Sequence, residues 1–402
     1  MQFNIPYFKL LDYGENSVLR NKKRLIVGLI IFCFYSVMES RPLHILFVFE
    51  YFPASSQAHI VNIMTGLIDR GHKISIFSFR NKDQVGCPNI EKYSLMNVVT
   101  YEKMPKKLPE YDIVFCQSAS LGKKILEIKK LRIWLRHRKL VVCLRGHDIT
   151  QNEVRNNPDM YRDLFKKTAL FLPVCDYFKK LVVQFGCNIN KVIVHHSAID
   201  CSQFFFTARQ KPENEMIHFV SVCRLVQKKG IDYALRAFNH VAEKYQNVHY
   251  TIVGDGPEVI YLKLLIKQLG LQDKVTLCGW RTQKEIVSIL NKSHIFLLPS
   301  IRANEGDEEG IANALKEAMA MGLITIGSWH AGTSELIDHG VSGFLVHEKN
   351  VPELIETIEY ILDNPEIWEP MELMARKKVE DEFETKQCVE KLEKLFYQLL
   401  GY

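Results

Sequence analysis

The residues best suited to chemistry lie between Pro299 and Gly322, in PSIRANEGDEEGIANALKEAMAMG. Glu309 and Glu317 stand eight positions apart there. On one helix that spacing is a rise of about 12 Å. Two carboxylates so placed could hold hydroxyls at opposite ends of a nucleotide-sugar. A helix starting near Gly310 and Ile311 would aim free backbone N–H groups and the positive end of its dipole at a diphosphate. Glycine at 310 lets the backbone come close to a ligand. The same residues could equally form a solvated acidic loop that caps a helix.

The cationic counterpart is FVSVCRLVQKKG, with Arg224 and Lys229. A departing nucleoside diphosphate needs positive charge where its negative charge develops. A guanidinium offers a planar fork and an ammonium a point charge. The third piece is IVGDGPE, with Gly254, Asp255 and Gly256. Taken singly, these two pieces are also compatible with a surface basic cluster and a D-G turn.

These loops need strands to carry them. Apolar strand-like runs occur at 44–50, 73–79, 112–117, 139–144, 169–174 and 191–196, then at 217–222, 248–253, 274–279, 294–299, 323–328 and 343–348. Helical patterns separate them, notably at 59–70, 122–138, 231–244, 311–321 and 352–362, and a last amphipathic helix spans 386–400. Strand–helix alternation with nearly unbroken apolar strands predicts parallel sheets covered on both faces. It happens twice, and a chain of 402 residues is too long for one core. The predicted class is therefore α/β, with two doubly wound, Rossmann-like domains facing across a cleft. Residues 1–42 read as an N-terminal extension, 43–210 as the first domain, 211–380 as the second, and 381–402 as a C-terminal helix that could pack back on the first. Ligands in such sheets bind beyond the carboxyl ends of the strands.

The order R-L-x-x-K-K-G, V-G-D-G-P, then P-S with E-x7-E-A-M-A and G resembles the retaining nucleotide-sugar glycosyltransferases of family 4, which have the GT-B fold. The resemblance runs from about residue 43 to the end. VHHSAIDCSQF (194–204) and EGDEEGIANALKEAMAMG look most like the colanic-acid and exopolysaccharide branch. It implies that Arg224 and Lys229 contact the donor diphosphate, with Gly254 on the neighbouring donor loop. It puts Glu309 near the transferred sugar, Gly310 and Ile311 on the backbone that follows, and Glu317 on the ribose. The implied donor is a UDP- or GDP-sugar and the acceptor a saccharide or lipid-linked saccharide, with no metal. Many relatives carry H-G-x-D after the fourth strand. Here Leu144-Arg145-Gly146-His147-Asp148 puts Arg145 at the usual histidine position; Asp148 still matches, and His147 either takes over the hydrogen bond to the sugar or stands by. The loop Phe52 to Gln57 replaces the usual glycine-rich loop, and Asn313-Ala314 replaces a frequent proline-valine pair. Another GT-B enzyme, such as a nucleotide-sugar 2-epimerase, or a non-catalytic relative remains the alternative.

Charge is uneven. Residues 1–200 carry 30 Lys+Arg against 17 Asp+Glu, and the remainder 22 against 29. The basic residues follow no nucleic-acid motif, so no nucleic-acid partner is expected. The run LGKKILEIKKLRIWLRHRK (121–139) has eight Lys/Arg and an apolar side, the pattern of a helix on a membrane surface. It is also the pattern of a helix that covers a sheet. The apolar stretch Leu25 to Met38 follows Lys22-Lys23-Arg24 and is shorter than the roughly 20 residues that span a bilayer. It reads as a membrane-associating segment or as sequence upstream of a start at Met38. The ten cysteines are scattered with no C-x-x-C pair, as buried hydrophobes are in a reducing compartment. The expected location is cytoplasmic, peripheral on the inner face of the cell membrane.

Overall fold

The computed structural model describes residues 41–54, 57–81, 88–101, 110–135, 138–209, 211–212 and 215–402. Residues 42–402 form one compact unit. The extension before residue 41, and Ser55 and Ser56 of the loop after the first strand, lie outside the described residues.

Two six-stranded parallel sheets carry the chain. The first contains β1 (His44–Phe52), β2 (Lys73–Asn81), β3 (Val99–Tyr101), β4 (Ile113–Cys116), β5 (Lys139–Leu144) and β6 (Leu170–Pro173) in the order β3-β2-β1-β4-β5-β6. The second contains β7 (Ile217–Val222), β8 (Val248–Val253), β9 (Val275–Gly279), β10 (Ile295–Leu297), β11 (Ile324–Ser328) and β12 (Phe344–Val346) in the order β12-β11-β10-β7-β8-β9. The two orders are the same doubly wound topology. β4, β5, β6 and β10 to β12 are buried along most of their length, as parallel strands covered by helices on both faces must be.

Four local readings change. Residues 191–196 are not a strand. The segment runs beside β6 with a single bridge, Val192 to Phe171, and with Ile193 N donating to Phe171 O (3.0 Å) and His195 N to Pro173 O (2.9 Å). The short, half-buried β3 lacks the apolar run that marks a strand. The helix expected over 122–138 is two helices, Ala119–Glu127 and Lys129–Trp134, broken at Ile128, whose ψ of 104° is extended. Its apolar side, including Leu121, Ile125, Leu126 and Leu131, is buried in the core. Exposed Lys129, Lys130, Arg132 and Ile133 face outward. The helix expected from Ile311 begins at Asn313 and ends at Ala320.

The last helix, Thr385–Leu400, returns to the first half. Phe383 O accepts from Ile199 N, and Ile199 O from Thr385 N, both at 2.9 Å. Farther along, Glu393 binds Arg70 Nε (2.9 Å) and His72 Nε2 (2.8 Å) beside the helix Ala58–Asp69. Among the described residues no helix is long and apolar enough to cross a membrane.

Candidate active site

In the second sheet the strand order turns between β7 and β10. The loops after these strands flank the crevice where doubly wound sheets hold ligands. One carries Cys223 to Gly230 and the other Leu298 to Ala312. They are tied together by Ile301 N donating to Lys228 O (2.9 Å).

Side chains from both loops form one ionic cluster. Lys229 Nζ lies 2.6 Å from Glu309 Oε2. Lys228 Nζ lies 3.0 Å from Asp307 Oδ2 and 3.7 Å from Glu309 Oε2. Both lysines are buried. Burial alone would raise the Glu309 carboxyl, but the Lys229 and Lys228 charges overcome it and hold the group down at about 2. Glu309 is therefore an anion at neutral pH and accepts hydrogen bonds. Its backbone N–H donates to His330 Nε2 (3.0 Å), and His330 Nδ1 pairs with Glu348 (2.6 Å). The loop after β11 thus fixes the loop after β10.

The first half closes on this cluster. His147 Nδ1 is 3.8 Å from Asp307, and the facing carboxylate raises the imidazole above its ordinary range. Arg155 Nη2 binds Glu308 at 2.6 Å, Thr150 Oγ1 accepts from Glu308 N (3.1 Å), and Asn152 N donates to Glu305 O (2.9 Å). A Cβ on Gly310 would come within 2.7 Å of Val174 Cγ2. Glycine is needed here because the first half packs against it, while Ile311 is buried. Both precede the helix, so Glu309 and Glu317 do not share one helical axis.

The other expected residues sit around the cluster. Arg224 is exposed, and its guanidinium makes no ion pair among the described residues. The backbone beside it is bonded to the next loop, Cys223 N to Val253 O (3.0 Å) and Leu225 N to Asp255 O (2.9 Å). Gly254 has φ 142°, and a Cβ there would lie 1.8 Å from Cys223 O. Only glycine lets these loops touch. Glu317, midway along Asn313–Ala320, makes no hydrogen bond through its carboxylate among the described residues. Burial lifts it to about 7 against the pull of Lys316. Asp148 is buried and accepts the Ala119 N–H, which holds the helix that follows β4. That bond gives it a positioning place behind His147.

The family described as Glycosyl transferases group 1 matches residues 203–378, the span that contains both cluster loops. The amylovoran biosynthesis glycosyltransferase AmsK of Erwinia amylovora is 33% identical over 309 residues, which is 76% of this chain and 74% of that one. The chain is a group 1 glycosyltransferase. The transferase also shares its fold with solved structures. A glycosyltransferase from Rickettsia africae aligns with a TM-score of 0.71 at 18% identity, over 90% of this chain and 99% of that one. Anabaena Alr3699/HepE, solved with UDP-glucose, aligns at 0.70 and 19%, over 89% and 100%. The two-domain GT-B fold is thus the fold of this transferase.

Sequence reasoning passed over Lys228, Asp307 and the Arg155–Glu308 pair. Lys228 stands beside Lys229, and Asp307 and Glu308 stand inside the acidic run. Their residue types were visible, and their partners were not.

Proposed function

We propose that this transferase belongs to the retaining family 4. On this reading it moves a hexosyl group from a UDP- or GDP-sugar to a lipid-linked saccharide in exopolysaccharide biosynthesis. The observation that carries the reading is the Lys229–Glu309 pair, backed by Lys228, at the crevice between the ends of β7 and β10. An ammonium has three donors, so Lys229 can hold Glu309 and a phosphate oxygen together. Arg224, without an ion pair among the described residues, supplies a second cation. The diphosphate charge is met by these side chains, with no metal required. Glu309, kept ionised, accepts hydroxyls of the transferred sugar. The Glu317 carboxylate, without a hydrogen bond among the described residues, suits two ribose hydroxyls. Gly254, Gly310 and Ile311 shape the donor loops, and His147, with Asp148 next to it holding the Ala119 N–H, approaches the sugar from the first half.

In the reaction, the acceptor oxygen bonds to the anomeric carbon on the face from which the diphosphate leaves. The anomeric C–O bond to phosphate breaks, and the acceptor proton passes to the departing phosphate oxygen. Arg224 and Lys229 stabilise the charge that develops there. The relative's name, which places it in amylovoran biosynthesis, supports a surface-polysaccharide product. UDP-glucose in the Anabaena structure supports a nucleotide-sugar donor. Exposed Lys129, Lys130 and Arg132 support a peripheral place on the inner membrane face, through attraction to anionic lipid at about 1 kcal/mol per charge.

The test is thermal unfolding of the full chain with UDP, GDP, ADP and CMP in turn. A ligand at 100 times its Kd stabilises by about 2.7 kcal/mol. A shift with UDP or GDP that is lost in Glu317→Ala is expected. No shift with any nucleotide at millimolar concentration would favour a non-catalytic relative.

A further inference from the structure

A second polar cluster lies where the carboxyl ends of the first sheet meet the helix Asn313–Ala320. Arg145, just past β5, donates through Nη1 to Ser197 Oγ (3.0 Å) and through Nη2 to Gln117 Oε1 (3.4 Å). Lys316 is fully buried and donates to Ser197 O. Asn313 Nδ2 meets His59 Nδ1 at 3.3 Å. Burial, with the charges of Arg145 and Lys316, keeps the His59 imidazole neutral. Among the described residues no carboxylate lies within ion-pair distance of Arg145 or Lys316.

Three polar atoms of this cluster are buried without a hydrogen-bond partner: Arg145 Nε, Gln117 Nε2 and Asn313 Oδ1. Two are donors, and one belongs to an unpaired guanidinium. Buried charges are ordinarily paired, and buried donors satisfied. A cluster with surplus cations and idle donors, beside the crevice of a transferase, is chemically suited to an anion.

We propose that Arg145, with Gln117 beside it and Lys316 behind it, is a subsite for an anionic substituent on a substrate, a carboxylate of an acidic sugar or a phosphate of a phosphorylated acceptor. This rests on the transferase reading above and narrows its substrate class to charged saccharides. Arg145 makes the direct contact, since a guanidinium fits both carboxylate and phosphate with paired N–H donors. Lys316 adds charge through Ser197, and neutral His59 offers a hydrogen bond without adding repulsion between cations.

The experiment is thermal unfolding of the full chain with glucuronate, inorganic phosphate or glucose, each with and without UDP and GDP. Wild type, Arg145→Gln and Arg145→Lys are compared. An anionic probe is expected to bind about tenfold or more tightly than glucose. The preference is expected to vanish in Arg145→Gln and return in part in Arg145→Lys. Preference for glucuronate assigns the site to an acidic sugar, and preference for phosphate assigns it to a phosphorylated acceptor. Equal response to glucose and both anions, or a preference that survives in Arg145→Gln, overturns the proposal. The nucleotide shifts are read separately. A UDP or GDP shift without anion preference sinks only this inference, and no nucleotide shift sinks the donor reading itself.

Discussion

Lys229 Nζ sits 2.6 Å from Glu309 Oε2, joining the loop after β7 to the loop after β10. The pair sets the charge of the crevice. Lys229→Ala should lower turnover at saturating donor about 10²-fold, the scale for losing a preorganised charge stabiliser. Initial rates with the nucleotide-sugar that shifts the melting temperature would check this. Near-normal turnover would remove Lys229 from the chemistry.

Glu317 gives a pH signature. Its folded value is raised to about 7 from an ordinary 4.5, so the fold favours the neutral carboxyl. Its cost to stability is absent below about 4.5, grows as pH rises, and is complete above about 7. Glu317→Gln should therefore be more stable than wild type at pH 8, by on the order of 1–3 kcal/mol, and similar at pH 4.5. Nucleotide affinity should move the other way, rising through pH 7 in wild type and flat in the variant. Urea midpoints and nucleotide titrations across this range decide it.

Arg155 and Glu308 pair across the two halves at 2.6 Å, and Glu308 is almost fully buried. Among the described residues, Arg155→Ala leaves that carboxylate Arg302, at 3.6 Å, as its remaining ion-pair partner. A loss of roughly 3 kcal/mol is expected in urea unfolding, because removing one partner strands a buried charge. Arg155→Met combined with Glu308→Leu should recover most of it. If the double variant is as unstable as the single one, the stranded charge is not the cause.

Gly254→Ala tests the contact between the loops after β7 and β8. The added Cβ would lie 1.8 Å from Cys223 O at a φ of 142°. The strain and the clash together should destabilise by at least about 2 kcal/mol and weaken nucleotide binding at Arg224. Unchanged urea midpoints would mean that the loops separate freely.

Lys129 and Arg132 face outward while Leu131 of their helix is buried. Lys129→Glu with Arg132→Glu should abolish co-sedimentation with phosphatidylglycerol vesicles, and so should 0.5 M salt, because the attraction is electrostatic. Binding that survives both would point to another membrane contact.

Much of this molecule is legible along the chain. Eleven of the twelve strands were marked by apolar runs, because a parallel strand covered on both faces must be apolar along its length. β3, half-buried and three residues long, gave no such run. The segment 191–196 has one, yet it runs beside β6 with a single bridge. Ile128, extended at ψ 104°, ends a helix that its neighbours would continue, with Leu126 before it and Leu131 after it both buried. Glu309, Lys229 and Glu317 were legible as residue types at telling intervals. That Glu309 precedes the helix, that Lys228 serves Asp307, and that Arg145 has no acid partner among the described residues were decided only by the tertiary structure. A strand's burial is written in its own residues. The partner of a charge depends on which distant loops the two sheets bring within a few ångströms.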